Sequence, residues 1–140
     1  MRFMIIVKAS AESEAGIMPS EKLLTDMGNF NEELAKAGVL LSAEGLQPSA
    51  RGARVQFSGS KRSVAAGPFP SDGLVAGFWL IKVASLDEAI DWVKRCPNPM
   101  PGDSEIEIRQ VYEMEDFGAA LPPELHEQEL RLRAHAASQG

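Results

Sequence analysis

The segment Gly67-Pro68-Phe69-Pro70-Ser71-Asp72-Gly73 cannot run through the middle of a β-sheet, because its two prolines have no amide hydrogen to offer a neighbouring strand. It must be a loop. The residues that follow, Leu74 to Val83, read as a buried strand. Ser85-Leu86-Asp87-Glu88 then matches a capping box, with Ser85 at the N-cap and Glu88 reaching back to it. The second half of the chain therefore starts as loop, strand and helix, the helix running to about Arg95 and stopping before Pro97.

The first half starts with Arg2 to Lys8, rich in large and β-branched apolar residues, which reads as a buried first strand. A loop is expected from Ala9 to Met18. Pro19 and Ser20 open a helix whose apolar positions Leu23, Met27, Phe30 and Leu34 keep helical spacing, and Gly38 ends it. Val39 to Glu44 and Ala53 to Phe57 are strand candidates separated by the polar turn 47–52, a spacing that suggests they pair as a hairpin. Gly59-Ser60-Lys61-Arg62 interrupts the pattern before Ser63-Val64. Past the proline-rich turn at 97–102, Glu105 to Tyr112 alternates polar and apolar residues as a half-buried strand does, with Ile106 and Ile108 on one face and Glu105, Glu107 and Arg109 on the other. Pro122-Pro123-Glu124 starts a final helix too polar for a core, carrying Glu127/Arg131 and Glu129/Arg133 at four-residue spacing.

This order predicts an α+β fold: a ferredoxin-like antiparallel sheet with helices on one face, an added hairpin and a C-terminal extra helix. The expected division is a domain over 1–120 and a helical tail over 121–140. The sheet face away from the helices needs a cover, so a homodimer of the dimeric α/β-barrel type, packed through those faces, is expected. The tail is a candidate for embracing the partner subunit.

Composition narrows the partners. Net charge is −6 over 140 residues and the pI is near 4.9, which repels nucleic-acid phosphates and anionic lipid. No nucleic-acid or membrane partner is expected, and no apolar run reaches the ~18 residues of a spanning helix; a cytoplasmic location follows as the expectation. Cys96 is the single cysteine and has no internal disulfide partner. Lys94 and Arg95 favour its thiolate, while a place at a helix C-terminus opposes it. His126 and His135 sit nine residues apart in the tail, a spacing that does not bring them to one helix face as metal ligands. No cofactor and no metal are expected.

Taken together, Phe3 to Lys8, Met18-Pro19-Ser20-Glu21, Gly38-Val39-Leu40-Leu41, Glu44-Gly45-Leu46, Gly67-Pro68-Phe69, Gly77-Phe78-Trp79, Asp87-Glu88-Ala89-Ile90, Arg95-Cys96-Pro97 and Glu105 to Arg109 resemble the YCII-related family, in particular its DGPF-domain branch. The tail Glu115-Asp116-Phe117-Gly118 with Pro123-Glu124-Leu125 fits that branch too. The resemblance implies a dimeric ferredoxin-like barrel, in a family whose members are mostly of unknown function and some of which are encoded beside extracytoplasmic-type sigma factors. A minority of the broader relatives are enzymes that use a His-Asp pair. This chain has no such pair in its body, and the aspartate that opens the branch's tetrad is Ala66 here. Pro70-Ser71-Asp72-Gly73 also replaces the usual charged residues after the phenylalanine, with Asp72 the one carboxylate near enough to stand in.

Lys8, Glu44, Arg54 and Arg109 are the polar residues on or beside strands, and strand parity can gather several of them on the open sheet face as a cleft for a small anionic or aromatic ligand. Glu44 is then the proton acceptor and, with Lys8, the candidate catalytic pair. Phe69 and Trp79 are candidates for its apolar wall. Two classes of function fit: a dimeric small-molecule-binding or regulatory module, or an acid-base isomerase or lyase acting on a small carboxylate or an aromatic-degradation intermediate. A third is a protein-interaction platform linked to a sigma factor. These residues alone leave open whether the chain is an enzyme.

Overall fold

The structure, a computed structural model, describes residues 1–139. The chain divides into two compact units, Met1–Gln110 and the segment from Val111 onward. In the first unit, four strands form one antiparallel sheet: β1 (Arg2–Lys8), β2 (Leu40–Gly45), β5 (Val75–Lys82) and β6 (Ile106–Gln110), in the order β2-β5-β1-β6. With helices α2 (Glu21–Lys36) between β1 and β2 and α3 (Leu86–Lys94) between β5 and β6, this is the ferredoxin-like α+β arrangement.

Period-two alternation decides which face each side chain takes. Phe3, Ile5 and Val7 of β1 and Trp79 and Ile81 of β5 point inward and are buried with Phe30 and Leu34 of α2 and Ala89 of α3. The helix starts follow from local chemistry: the Ser20 side chain accepts from the Leu23 amide at 3.1 Å, and Ser85 accepts from the Glu88 amide at 3.2 Å while the Glu88 carboxylate takes the Ala84 amide at 2.8 Å. Gly38 closes α2 at φ +74°, a conformation that favours glycine.

Within the first unit, α2 and α3 both pack on that inward face and leave the other sheet face without a helix. Along it the registers align Glu44, Phe78, Ile6 and Glu107 in one row and Ser42, Leu80, Met4 and Arg109 in the next. Each row is two apolar residues flanked by polar ones, and Met4, Ile6, Phe78 and Leu80 are all half-buried.

Three expectations need correction. The strand at 39–44 does not pair with the one at 53–57; β2 pairs with β5 inside the sheet, and β3 (Ala53–Ser58) pairs with β4 (Lys61–Ala66) as a separate two-stranded ribbon. Gly59 and Ser60, with Gly59 at φ +58°, form the turn of that ribbon, so Lys61 and Arg62 begin a strand instead of interrupting one. The 9–18 loop contains a one-turn helix, α1 (Ala11–Glu14), because Ser10 and Ser13 cap it reciprocally: the Ser13 amide donates to Ser10 Oγ at 3.1 Å and the Ser10 amide to Ser13 Oγ at 2.9 Å.

In the second unit, a short 3₁₀ segment (Met114–Ala120) precedes α4 (Pro123–Gln139). Tyr112 stacks on Phe117 with ring centroids 5.1 Å apart, and Arg133 pairs with Glu129 at 2.9 Å. No helix among the described residues is long and apolar enough to cross a membrane.

Candidate functional site

The GPF loop is held by a carboxylate that sequence reading passed over. Glu14, at the end of α1, accepts the Ser49 amide at 2.8 Å and also the Ser49 hydroxyl, while Ser49 Oγ in turn accepts the Phe69 amide at 2.8 Å. This chain of bonds joins α1, the 3₁₀ turn Ser49–Arg51 and the loop at the root of the β3-β4 ribbon. Arg54 lies over the Phe69 ring, 4.0 Å from its centroid, and fixes the same corner from the ribbon side. Nothing in the spacing of Glu14, Ser49 and Phe69 announces the contact, since the three lie on separate segments and meet only in the folded chain.

Next to this corner the first unit has an open cleft of about 620 Å³. Four segments wall it: the end of β1 at Lys8, the start of α1 at Ser10 and Glu12, the turn Ser71-Asp72-Gly73, and the 100–105 loop with Asp103 and Glu105. Backbone and side-chain bonds fix these walls. The Ala9 amide donates to the Leu74 carbonyl at 2.9 Å, Leu74 to Ser71 at 3.1 Å, and Ser10 Oγ to the Met100 sulfur at 3.2 Å. Asn98 shapes the last loop by donating to Gly102 O at 2.9 Å and accepting from the Met100 amide at 3.1 Å.

Lys8 is the one cation in a lining that carries Glu12, Asp72, Asp103 and Glu105. Its ammonium is 3.1 Å from Glu107, which also takes Arg109 at 3.2 Å. The hydrogen bonds from Lys8 and then Arg109 hold the Glu107 carboxyl below the usual range, with the Coulomb attraction of Lys8 adding to them. A lowered carboxyl contributes stability above its unfolded value and loses it as pH falls through the folded one, so the Lys8–Glu107 pair persists into mild acid. Glu107 meets Lys8 because β6 pairs with β1, an adjacency that alternation alone does not give.

The predicted site residues separate into three places. Lys8 is on the cleft wall, and Lys8 and Arg109 meet through Glu107. Glu44 shares their sheet face but stands on the edge strand β2, three strands from Glu107, or ~14 Å at ordinary strand spacing. Arg54 and Phe69 form the ribbon corner. Trp79 points the opposite way, into the core: it is 7% exposed, its indole N–H donates to Asn31 Oδ1 at 2.6 Å, and it meets Phe30 edge to face at 5.7 Å. No aromatic ring is among the residues that line the cleft. Among the described residues, no three His, Cys, Asp or Glu side chains converge as metal ligands.

Cys96 sits past the end of α3 with its thiol 3.2 Å from the Pro97 carbonyl, and burial pushes its pKa up to about 11. Lys94 and Arg95 therefore do not activate it. Arg95 is turned to Glu33 at 3.1 Å and stacks over Trp92. A thiol raised from 9 to about 11 has ~100-fold less thiolate at neutral pH. Reaction with iodoacetamide at pH 7.5 is expected to be slower by that order than in the urea-unfolded chain, and equal rates in the two states would contradict the placement.

The YCII-related domain matches residues 1–115. An uncharacterized protein of Rhizobium meliloti (strain 1021) is 31% identical over 92 residues, covering 65% of this chain and 74% of the relative. The solved structure of 5-chloro-2-hydroxyhydroquinone dehydrochlorinase from Burkholderia phenoliruptrix AC1100, in complex with 2,5-dihydroxybenzoquinone, aligns at a TM-score of 0.48 and 13% identity over 83% of this chain and 98% of that one. By the match over residues 1–115, the chain belongs to the YCII-related domain family.

Proposed function

We propose that this protein is a homodimeric small-molecule-binding module whose ligand site is the cleft between Lys8, Ser10, Asp72 and Glu105. The observation that carries the reading is the convergence of four chain segments on one open volume of about 620 Å³, each held by its own hydrogen bonds. Four carboxylates around one ammonium favour a small polar ligand with a cationic group over the anion expected from sequence. An oxygen on such a ligand meets Lys8 and Ser10, while its amine faces Asp72 and Glu105.

Binding is favoured over acid-base turnover because Lys8 and Glu44, the candidate catalytic pair, stand on β1 and β2 with β5 between them. Proton transfer needs hydrogen-bond reach, and two strand spacings, ~10 Å, exceed it. The homodimer rests on the open sheet face, where Met4, Ile6, Phe78 and Leu80 form an apolar band rimmed by charge.

A thermal-shift screen of small amines, amino acids and carboxylates tests the reading, since a ligand held only by the folded state raises Tm. Amines are expected to shift Tm by a few degrees. Asp72→Asn should remove at least half of that shift, and Glu44→Gln should leave it intact. A shift abolished by Glu44→Gln and untouched by Asp72→Asn would move the site to the sheet face and reject the cleft.

A further inference from the structure

We infer that Ser49 is a positioning residue of the cleft: its hydroxyl is the spacer that sets two of the four walls relative to each other. The inference rests on the cleft reading above and adds to it a residue that lies outside the lining.

Segments 9–14 and 69–74 are joined at both ends, with the chain direction reversed between them. At one end the join is direct, the Ala9 amide donating to the Leu74 carbonyl at 2.9 Å. At the other end, from 9 on to 14 and from 74 back to 69, Ser49 stands between the two. Its hydroxyl donates to the Glu14 carboxylate, its amide donates to the same carboxylate at 2.8 Å, and its Oγ accepts the Phe69 amide at 2.8 Å. Between the two joins lie Ser10 and Glu12 on one segment and Ser71, Asp72 and Gly73 on the other, all of them in the cleft lining.

Each segment has its own internal bonds. Ser10 and Ser13 cap α1 reciprocally, and the Leu74 amide donates to the Ser71 carbonyl at 3.1 Å. Their placement relative to each other is left to the two joins. A single hydrogen bond spans the first; two in series through one oxygen span the second, so Ser49 decides how far the walls stand apart there. A hydroxyl suits the place because one atom both donates to a carboxylate and accepts from an amide. Ser49 is itself held, since its carbonyl accepts from Gly52 at 2.9 Å. Walls fixed before the ligand arrives cost it no ordering on binding, and that is the contribution the hydroxyl makes to affinity.

Ser49→Ala, Ser49→Thr, Glu14→Ala and the Ser49→Ala/Glu14→Ala double variant of the full chain test this. Ethanolamine, which carries both an amine and an oxygen, is the probe for isothermal titration, with circular dichroism confirming the fold. Ser49→Ala is expected to weaken binding ~10-fold, and Ser49→Thr, which keeps the hydroxyl, to stay within ~3-fold of wild type. Glu14→Ala cuts the same tie from the other side, so the double variant is expected to bind no more weakly than either single one. Hydrogen exchange reads the tie without a ligand: in Ser49→Ala the Ser13 and Leu74 amides, one in each wall, exchange faster while the Ile5 and Ile81 amides keep their protection. A Ser49→Ala protein with lowered Tm but wild-type affinity would make the hydroxyl merely structural and overturn the proposal, as would unchanged exchange at Ser13 and Leu74. A wild type that does not bind ethanolamine at millimolar concentration would count against the cleft reading itself, while the exchange rates still decide the tie.

Discussion

Gly67→Ala is expected to lower stability by about 3–5 kcal/mol, the upper range for a change that forces side-chain atoms into an already filled space. A Cβ built on Gly67 lies 1.8 Å from the Ser49 carbonyl oxygen and 2.6 Å from the carbonyl carbon. Both are backbone atoms, so no side chain can swing aside. Ser49 cannot retreat either: its amide is on Glu14, its Oγ takes the Phe69 amide, and its carbonyl accepts from Gly52 at 2.9 Å. The alanine must break this corner, which roots the ribbon and leads into the cleft wall at Ser71–Gly73. Thermal unfolding is expected to move down by ~10 °C or more, with the β3-β4 amides losing hydrogen-exchange protection first. Gly28→Ala in α2 is the control of opposite sign, because its Cβ meets nothing within 4 Å and alanine favours the helix by ~0.5–1 kcal/mol. Equal melting temperatures for wild type and Gly67→Ala would refute the close approach.

Trp79→Ala carries the second large effect, about 3–5 kcal/mol, because it empties a packed core position and strips Asn31 of its indole donor. The same substitution separates two accounts of this residue. As a core residue, Trp79 changes Tm and leaves ligand affinity within ~3-fold under conditions where the variant is folded, since a distant structural change acts weakly on the cleft. As a pocket wall it would change affinity first and stability little. Isothermal titration alongside denaturant unfolding distinguishes the outcomes, and lost affinity with unchanged stability would contradict the inward placement.

The elements that could be read from the sequence are those whose signals are local. Ser20, Ser85 and Glu88 announce helix starts through bonds to amides three or four residues away, and the alternation in 105–112 places Ile106 and Ile108 opposite Glu107 and Arg109 before any tertiary contact is known. The ribbon was misread because strand pairing is not local. Short spacing between 39–44 and 53–57 suggests a hairpin, yet β2 has a better partner in β5, where Ala43 and Trp79 sit side by side. The sequence consistent with a break at 59–62 is also the sequence of a tight turn: Gly59 supplies the positive φ and Lys61 resumes the strand.

The candidate site divides along the same line. Parity placed Lys8, Glu44 and Arg109 on one sheet face, as expected, but parity does not give strand order, and β5 and β1 stand between Glu44 and Glu107. For Trp79, residue type allowed a pocket wall, whereas its odd-numbered place in β5 assigns it to the same side as Ile81 and the helices. Glu14 and Ser49 escaped notice because their link spans 35 positions. The substitution at Ala66 also takes on a different meaning in the fold. Its side of the ribbon holds Ala53, Val55 and Val64, so the alanine extends an apolar stripe where a carboxylate would interrupt it.

A titration of the ¹⁵N-labelled protein with small amines, followed by amide chemical shifts, addresses the cleft most directly. Binding there predicts shifts concentrated at residues 8–12, 71–74 and 100–105, with the edge strand β2 unchanged and the whole pattern weakened in Asp72→Asn. Shifts centred on β2 and the outer face around Glu44, or none in the three cleft segments while Tm still rises, would contradict it.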